Sequence, residues 1–397
     1  MKILHVSALS SNNLIKKLYN KTHENPGFAV QKFNRLFVNG LISNACEVTA
    51  LTNPPITKNY SKQVVVNIKN ECENGILYHY IPFINVPILR HIGIFFYSFF
   101  YTLFWSVWKN KEKAVICDVL TISSCMGSLL AAKITRVKTV GVVTDIYSQM
   151  VGNPTSGIRL YVSKLAGFLN RKYVSSFTYY VLLTDEMNAV VNLKNRPYIV
   201  MEALCDSSLI LLDIPKKQKV YPRVVLYAGG LEKRYGLKML VDAFKVLNLK
   251  DVQLHIYGSG SYAEELKYES EQMNSIIYKG VRSNEEIINA EMSATLLVNP
   301  RFTTEEFTKY SFPSKNMEYM VSGTPLLTTN LPGMPKEYHD HVYLFEEETV
   351  YGYARKLSNV LSLSSEQLEA KGNDARRFVL EQKNNIIQTA RILSLIN

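Results

Sequence analysis

The sequence has few cysteines, and no two of them are spaced for a shared task. Cys46, Cys72, Cys117, Cys125 and Cys205 form neither a CxxC pair nor a Cys/His cluster, and their number is odd. That pattern argues against a disulfide framework and against a zinc site. Tandem repeats, low-complexity tracts and long Gly/Ser linkers are also missing, which removes solenoids and flexible arrays. The opening stretch, MKILHVSALS, contains an apolar run too short for the core of a secretory signal. Reduced thiols without a signal core point to the cytoplasm. Acidic residues are scarce in one half only. The first 200 residues hold 9 Asp and Glu against 22 Lys and Arg, whereas the remainder holds 25 against 23.

What is present is enough for two globular bodies. The chain has 397 residues, 47% hydrophobic and 20% charged, too long for one ordinary core. The net charge of +11 therefore sits in the first half, next to a nearly neutral second half. A basic face attracts phosphate, whether in nucleic acid, anionic lipid or a pyrophosphate-bearing substrate. No nucleic-acid recognition motif accompanies it, so nucleic acid is not an expected partner.

Apolar runs alternate with helical patterns along the chain. KILHVSA reads as a strand, LSSNN as a polar loop, and FAVQKFNRLFVNGLI as a helix with Phe28, Phe33, Leu36, Phe37 and Leu41 on one side. CEVTALT, AVICDVLTI, KTVGVVTDIY, YYVLLTD and PYIVME are further strands, with a helix from about Gly127 to Lys133. The pattern restarts at RVVLYAGG, followed by the helix LKMLVDAFKVL and the strands VQLHIYGSG, SIIYKGV, ATLLVNPR and TPLLTT. Strands separated by helices predict parallel sheets covered on both faces. The fold class is α/β, with two Rossmann-like doubly wound domains: 1–205, and 206–379, with a C-terminal helix from about 380–397 returning to the first. The stretch IGIFFYSFFYTLFWSVW, residues 92–108, carries no charge. It is nearly long enough to span a bilayer. A span would place strands of one sheet on opposite sides of the membrane, so a buried or bilayer-resting helix is expected.

Three stretches carry candidate chemistry. In FPSKNMEYMVSGTP, Pro313 suits a first helical turn and Gly323 a stop. Met317, Met320 and Val321 share the core-facing side, and Lys315 and Glu318 share another. The carboxylate is suited to ribose hydroxyls and the lysine to a phosphate; the spacing equally describes a surface ion pair. In YAGGLEKRYG, a strand ends in Gly229 and Gly230, with Lys233 and Arg234 just beyond. That order lets backbone approach an anion at a helix start, or simply makes a tight connection. IYGSG adds a second glycine turn, Gly258 to Gly260, at the carboxyl edge of the same sheet.

In order and spacing these segments, with IIYKGV, LLVNP and TPLLTTNLPGMPKEY, resemble the retaining glycosyltransferases of family 4, which have the GT-B fold. The form FPSK…EYM.SGTP is similar to the branch that builds bacterial surface polysaccharides. The first half matches in outline only. The resemblance implies a nucleotide-sugar donor, expected to be a UDP-sugar, held by the second domain. Glu318 then takes the place of the family's ribose-binding glutamate. Tyr310 stands where another glutamate usually touches the sugar, with Glu305 and Glu306 nearby. Gly230 and Tyr235 stand where the family has its phosphate-binding arginine and lysine, leaving Lys233, Arg234 and Lys315 as replacement cations. The base is expected near Gly280, Val281 and Arg282.

The resemblance further implies a mechanism in which fixed amides and cations stabilise the departing diphosphate. Configuration is retained, and neither a cofactor nor a metal is required. Asp145, in VVTDIY, lies where the family often has a His-Asp pair by the acceptor, with Thr144 in place of the histidine; it would orient an acceptor hydroxyl or simply cap a turn. The acceptor is a saccharide, expected to be lipid-linked. The basic first domain, with Lys16, Lys17, Lys21, Lys32 and Arg35 and the aromatic segment 92–108, would rest on an anionic membrane surface, peripheral to the inner face of the plasma membrane; an ordinary solvated basic surface is the plainer reading of the same charges. Two alternatives stay open: an inactive nucleotide-sugar-binding subunit, and a nucleotide-sugar 2-epimerase, for which no set of acid and base side chains is apparent.

Overall fold

The computed structural model describes residues 1–57, 59–107, 112–146, 167–210, 219–247 and 249–397. Trp108, Tyr147 and residues 211–218 of the expected linker lie outside them. The chain divides into two units, Met1–Leu204 with Asn385–Asn397, and Cys205–Asn384. The sequence reading had set the division at 205/206 and the returning helix at about 380.

The first unit contains strands β1 (Lys2–Ser7), β2 (Glu47–Thr52), β3 (Val65–Val66), β4 (Glu71–Glu73), β5 (Ile76–Tyr80), β6 (Phe83–Ile84), β7 (Lys113–Asp118), β8 (Lys138–Val143), β9 (Tyr179–Leu182) and β10 (Tyr198–Val200). Eight of them form one sheet in the order β10-β9-β8-β7-β1-β2-β5-β4; β3 pairs with β6. Every pairing in the large sheet is parallel except the β4–β5 hairpin. Interior strands read as unbroken apolar runs, as burial on both faces demands: Ile3, Leu4 and Val6 are fully buried.

Helices α1 (Asn12–Thr22), α2 (Phe28–Ser43), α3 (Pro87–Val107), α4 (Ile122–Ile134), α5 (Met187–Val191) and, from the far end of the chain, a helix over Asn385–Ile396 belong to this unit, as do the helical residues 167–174. The stretch that follows the first strand, read as a polar loop, turns into α1 after Ser11. The Ser11 hydroxyl accepts from the Leu14 N–H at 3.0 Å, an N-cap that starts the helix. On α2, Leu36, Phe37 and Leu41 are buried, while Phe28 is exposed, so the apolar side is narrower than the spacing suggested. The aromatic segment is helical from Pro87, five residues earlier than expected. The helix over Asn385–Ile396 packs on α2 where Gly40 leaves room. A Cβ there would come within 2.2 Å of the Asn385 carbonyl oxygen, and Asn385 Nδ2 donates to Leu36 O at 3.1 Å.

The second unit is one parallel sheet of six strands, β11 (Arg223–Gly230), β12 (Val252–Ser259), β13 (Ile276–Gly280), β14 (Leu296–Asn299), β15 (Leu326–Thr329) and β16 (Tyr343–Phe345), in the order β13-β12-β11-β14-β15-β16. Its helices, from α6, are α6 (Leu237–Leu247), α7 (Ala263–Gln272), α8 (Asn284–Ser293), α9 (Ser314–Ser322), α10 (Val350–Leu361) and α11 (Ser365–Gln382); the helix over Asn385–Ile396 is α12. Leu237, Leu240, Val241 and Phe244 of α6 fall at helical spacing and enter a core with Leu254, Ile256 and Leu296. Both units are Rossmann-like, as the alternation of strand and helix predicted.

A buried polar chain crosses the first unit. His5 Nε2 lies 2.8 Å from Asn34 Oδ1, and Asn34 Nδ2 donates to Asp118 Oδ2 at 3.1 Å. Burial lowers the His5 imidazole to about 4 and raises the Asp118 carboxyl. Below its ordinary value near 6.5, the unfolded imidazole gains a proton that the folded one refuses until about 4. The His5 contribution to stability is therefore present above that window and lost as pH falls through it, by on the order of a few kcal/mol. Denaturant midpoints measured from neutral pH to pH near 4 should fall more steeply for the wild type than for His5→Gln. Parallel curves would show that His5 is not buried as the neutral form.

Candidate functional site

In a doubly wound sheet, ligands bind beyond the carboxyl ends of the strands where the winding direction reverses. In the second unit that reversal lies between β11 and β14: β12 and β13 continue on one side, β15 and β16 on the other. The loops after β11 and β14 therefore define the candidate site, and both are constrained by close backbone contact.

Strands β11 and β12 end together. Gly229 is in register with Gly258, and Gly230 with Ser259. Gly258 has φ of 131°, and a Cβ on it would stand 1.9 Å from the Gly229 carbonyl oxygen, so no side chain fits. Tyr227 O–H donates to Gly230 O at 2.9 Å, and Tyr278 O–H donates to Gly258 O at 3.0 Å. Farther along, Gly236 has φ of 77°, and a Cβ there would lie 1.8 Å from the Pro300 carbonyl oxygen. This seats the β11 loop directly on the β14 loop, and α6 begins at the next residue with its N–H groups free to favour an anion.

The side chains at this junction are aromatic and cationic. The Tyr235 and Phe307 rings meet edge to face, with centroids 6.0 Å apart. Arg234 lies 5.4 Å from each ring centroid. Arg301, half-buried two residues past β14, lies 4.7 Å from Tyr235 and 5.8 Å from Phe307. Burial lowers the Arg301 guanidinium from its ordinary value, yet an arginine retains its charge in proteins. Two guanidiniums are thus held on one aromatic pair, with N–H groups available for an anion.

Helix α9 fixes β11 from beneath. The Ala228 N–H donates to the Tyr319 hydroxyl oxygen at 2.7 Å, and the Tyr319 O–H lies 3.1 Å from Ala228 O. Asn316, Met317, Tyr319 and Met320 are buried. Val321, expected in the core, is only half-buried, because Tyr319 supplies the contact that fastens the strand. Pro313 precedes the helix and Gly323, with φ of 76°, ends it, as the sequence suggested.

The anticipated residues fall as follows. Gly229, Gly230 and Gly258 come together at adjacent strand ends, and Arg234 joins them. Lys315 and Glu318 pair with each other at 2.8 Å, each about one-third exposed, and Lys315 also lies 4.0 Å from the buried Glu291 carboxylate. The lysine thus sits between two acids. Glu305, Glu306 and Tyr310 lie on or beside the short 3-10 turn Glu306–Lys309 after β14. Val281 and Arg282 are exposed just beyond β13. Lys233 is held in an exposed ion pair with Glu265 of α7 and lies 5.6 Å from the Tyr262 ring centroid. Asp145 belongs to the first unit, two residues past β8, where it lines a cavity of about 780 Å³ with Val119, Leu120, Ile122 and Arg171. It reaches solvent there, yet atoms crowding it and the Asp118 carboxylate raise its carboxyl. Among the described residues, no group of three or more His, Cys, Asp or Glu is placed to share an ion.

Residues 213–378 match the family model of glycosyl transferases group 1. The match lies within the second unit and spans less than half of the chain. The whole chain is similar in fold to the lipopolysaccharide outer core galactosyltransferase WaaB, with a TM-score of 0.60, 15% identity, and coverage of 100% of this chain and 99% of that one. Sucrose-phosphate synthase from Thermosynechococcus elongatus gives a TM-score of 0.61 at 12% identity, with 100% and 99% covered. HepE of Anabaena, solved with UDP and glucose, gives 0.57 at 14%, with 99% of each chain covered. These likenesses are of fold, and the fold is GT-B. A stretch of 114 residues is also 29% identical to FMN-dependent NADH:quinone oxidoreductase 1 of Mesoplasma florum. That stretch is 26% of this chain and spans 57%, little more than half, of the curated relative; so partial a match assigns no activity.

The second unit holds two charged residues that the motifs in the sequence do not single out. Arg301 directly follows LLVNP, a strand end already noted, and an arginine there was the available signal. Glu291 sits inside a helix of ordinary pattern, and nothing short of the packing of α8 beside α9 brings it near Lys315. Removing the Tyr319 hydroxyl tests how the glycine turn is held. Tyr319→Phe strands the buried Ala228 N–H, so stability should drop by about 1–3 kcal/mol, read from denaturant unfolding. An unchanged midpoint would show that the hydroxyl does not support β11.

Proposed function

We propose that the protein is a glycosyltransferase that moves a sugar from a nucleotide-diphosphate sugar to a saccharide acceptor. The observation that carries this reading is the pair Arg234 and Arg301 on Tyr235 and Phe307, next to glycine-ended strands at the reversal of a group 1 domain. Fixed guanidiniums and a helix N-terminus suit a diphosphate in which negative charge grows as the sugar leaves. Arg301 fills the need left by Gly230 and Tyr235 at the positions where an arginine and a lysine were expected. The sugar–phosphate bond breaks, the diphosphate keeps the electron pair, and the acceptor hydroxyl forms the new bond as its proton passes to the leaving phosphate oxygen. We assign the ribose hydroxyls to Glu318, whose carboxylate can exchange Lys315 for a donor.

A UDP-sugar is the proposed donor, retention the proposed outcome, and a lipid-linked saccharide of surface-polysaccharide synthesis the proposed acceptor. HepE was solved with UDP and glucose, which supports the donor class. The cavity beside Asp145 in the first unit is the proposed acceptor side, with the carboxylate orienting a hydroxyl. An inactive donor-binding subunit is the second reading. It is favoured by Tyr310 in place of a glutamate and by Lys233 being tied to Glu265.

Thermal shifts with UDP-, GDP-, CMP- and ADP-sugars test donor binding, since a ligand that binds the folded state raises its melting temperature. One donor class should stabilise the protein, and Glu318→Ala should abolish the shift. Arg301→Met should then reduce turnover by roughly 10²-fold or more while leaving the fold intact. A protein stabilised by no member of the panel would remove the proposal. Donor binding without transfer or hydrolysis would establish the second reading.

A further inference from the structure

Helix α3 is built inside out. Its most buried positions are Ile94, Ser98 and Thr102, each fully enclosed, so two of the three inward side chains are hydroxyls. On the opposite side Ile88, Ile92, Phe96, Phe100 and Phe104 recur every fourth residue and are exposed, Phe96 by 51%, Phe100 by 50% and Phe104 by 69%. A helix folding in water turns its large apolar residues inward. Here they line the outside for some five turns.

The inner side explains how this arrangement is held. Helix α4 packs along α3 so closely that a Cβ on Gly127 would lie 2.2 Å from the Phe95 carbonyl oxygen. The Thr102 hydroxyl donates to Ser128 Oγ at 2.9 Å, and His91 Nδ1 lies 2.9 Å from Ser123 Oγ. Small residues and hydroxyl bonds join helices in lipid in the same way. Helix α4 repeats the outward pattern, with Met126, Leu130 and Ile134 exposed. It packs in turn on β1, β7 and β8, so α3 is an outer layer of a folded unit, although Ile88–Val107 is long and apolar enough to cross a membrane.

The charge around these helices selects the occupant. Neither helix contains an acidic residue, and between residues 87 and 138 the sequence has seven Lys and Arg against two Asp and Glu. Asp118 is one of the two and is buried. Lys133 and Arg136 are exposed at the end of α4. Lys113 donates to the Trp105 and Ser106 carbonyls at the end of α3, at 2.7 and 3.0 Å. A second copy docked on this face would bring two basic rims together. An anionic lipid surface offers hydrocarbon to the phenylalanines and phosphate to the lysines and arginines at once.

We infer that the outer face of α3 and α4 is a membrane-docking surface that inserts Phe96, Phe100 and Phe104 into the interface of an anionic lipid leaflet. The inference does not depend on the transferase reading, because vesicle binding and donor binding are measured separately. The full chain is sedimented with phosphatidylglycerol–phosphatidylcholine vesicles and with phosphatidylcholine alone, at low and high salt. Wild type should bind the anionic vesicles at low salt, with a blue shift of tryptophan emission. The combined variant Phe96→Ser, Phe100→Ser and Phe104→Ser should lose binding about tenfold or more, from the apolar area withdrawn. Its melting temperature should fall little, since these side chains are already half or more exposed. Lys133→Glu with Arg136→Glu should weaken binding and flatten its salt dependence. If the triple variant is unstable, Phe104→Ser alone serves, with a smaller loss expected. Wild type that stays in the supernatant, serine variants that bind equally, or a dimer in sedimentation velocity that the serine variants dissociate would each overturn the inference.

Discussion

The second unit depends on two strands that end in glycine at the same level. The Gly229 carbonyl occupies the space that a side chain on Gly258 would need, so the two backbones meet without intervening atoms. The same device recurs where Gly236 sits on the Pro300 carbonyl. Together these contacts set the positions of the loops after β11 and β14, and with them two guanidiniums and two rings. Tyr319 adds the third constraint by bonding both polar groups of Ala228, just ahead of the glycine pair. A site assembled from backbone close contact has little freedom to relax, which suits recognition of a diphosphate by fixed dipoles and cations.

The units divide their physical tasks. The second is nearly neutral, with Arg234 and Arg301 held together at one strand reversal. The first is strongly basic and carries an apolar outer layer that water alone does not explain. A buried Asn34 bridges His5 and Asp118 inside its sheet, a polar insertion that holds the helix α2 to β1 and β7. The transfer proposed above, from a soluble donor to a lipid-linked acceptor, would use both properties, one in each unit.

Much of this was legible from residue order. Helix α6 follows its apolar spacing from Leu237 to Leu247, and β11, β12, β14 and β15 are apolar runs bounded by glycine, proline or asparagine. Short edge elements were not legible. β3, β4 and β6 have two or three residues each, too few to show a period, and β16 has three. Helix α1 was hidden by its polar residues, although Leu14, Ile15 and Leu18 sit at helical spacing and Ser11 caps it. Among the candidate residues, the glycines and Glu318 could be picked out because backbone geometry and a helical stop mark them. Arg301 and Glu291 gain their meaning from neighbours supplied by other elements: Tyr235 from the loop after β11, and Lys315 from the next helix. The pairing of Lys315 with Glu318 follows plainly from their spacing, and it is compatible with the proposed ligand role because an exposed pair is easily exchanged.

The placement of α12 bears on how the chain comes to be folded. It belongs to the first unit, seated on α2 through Gly40 and Asn385, yet it is synthesised after every residue of the second. The first unit therefore cannot close until the whole of the second has been made, although its sheet is synthesised first. Its completion depends on a segment far from that sheet in sequence, joined to it through the close approach of Gly40 and the Asn385 amide.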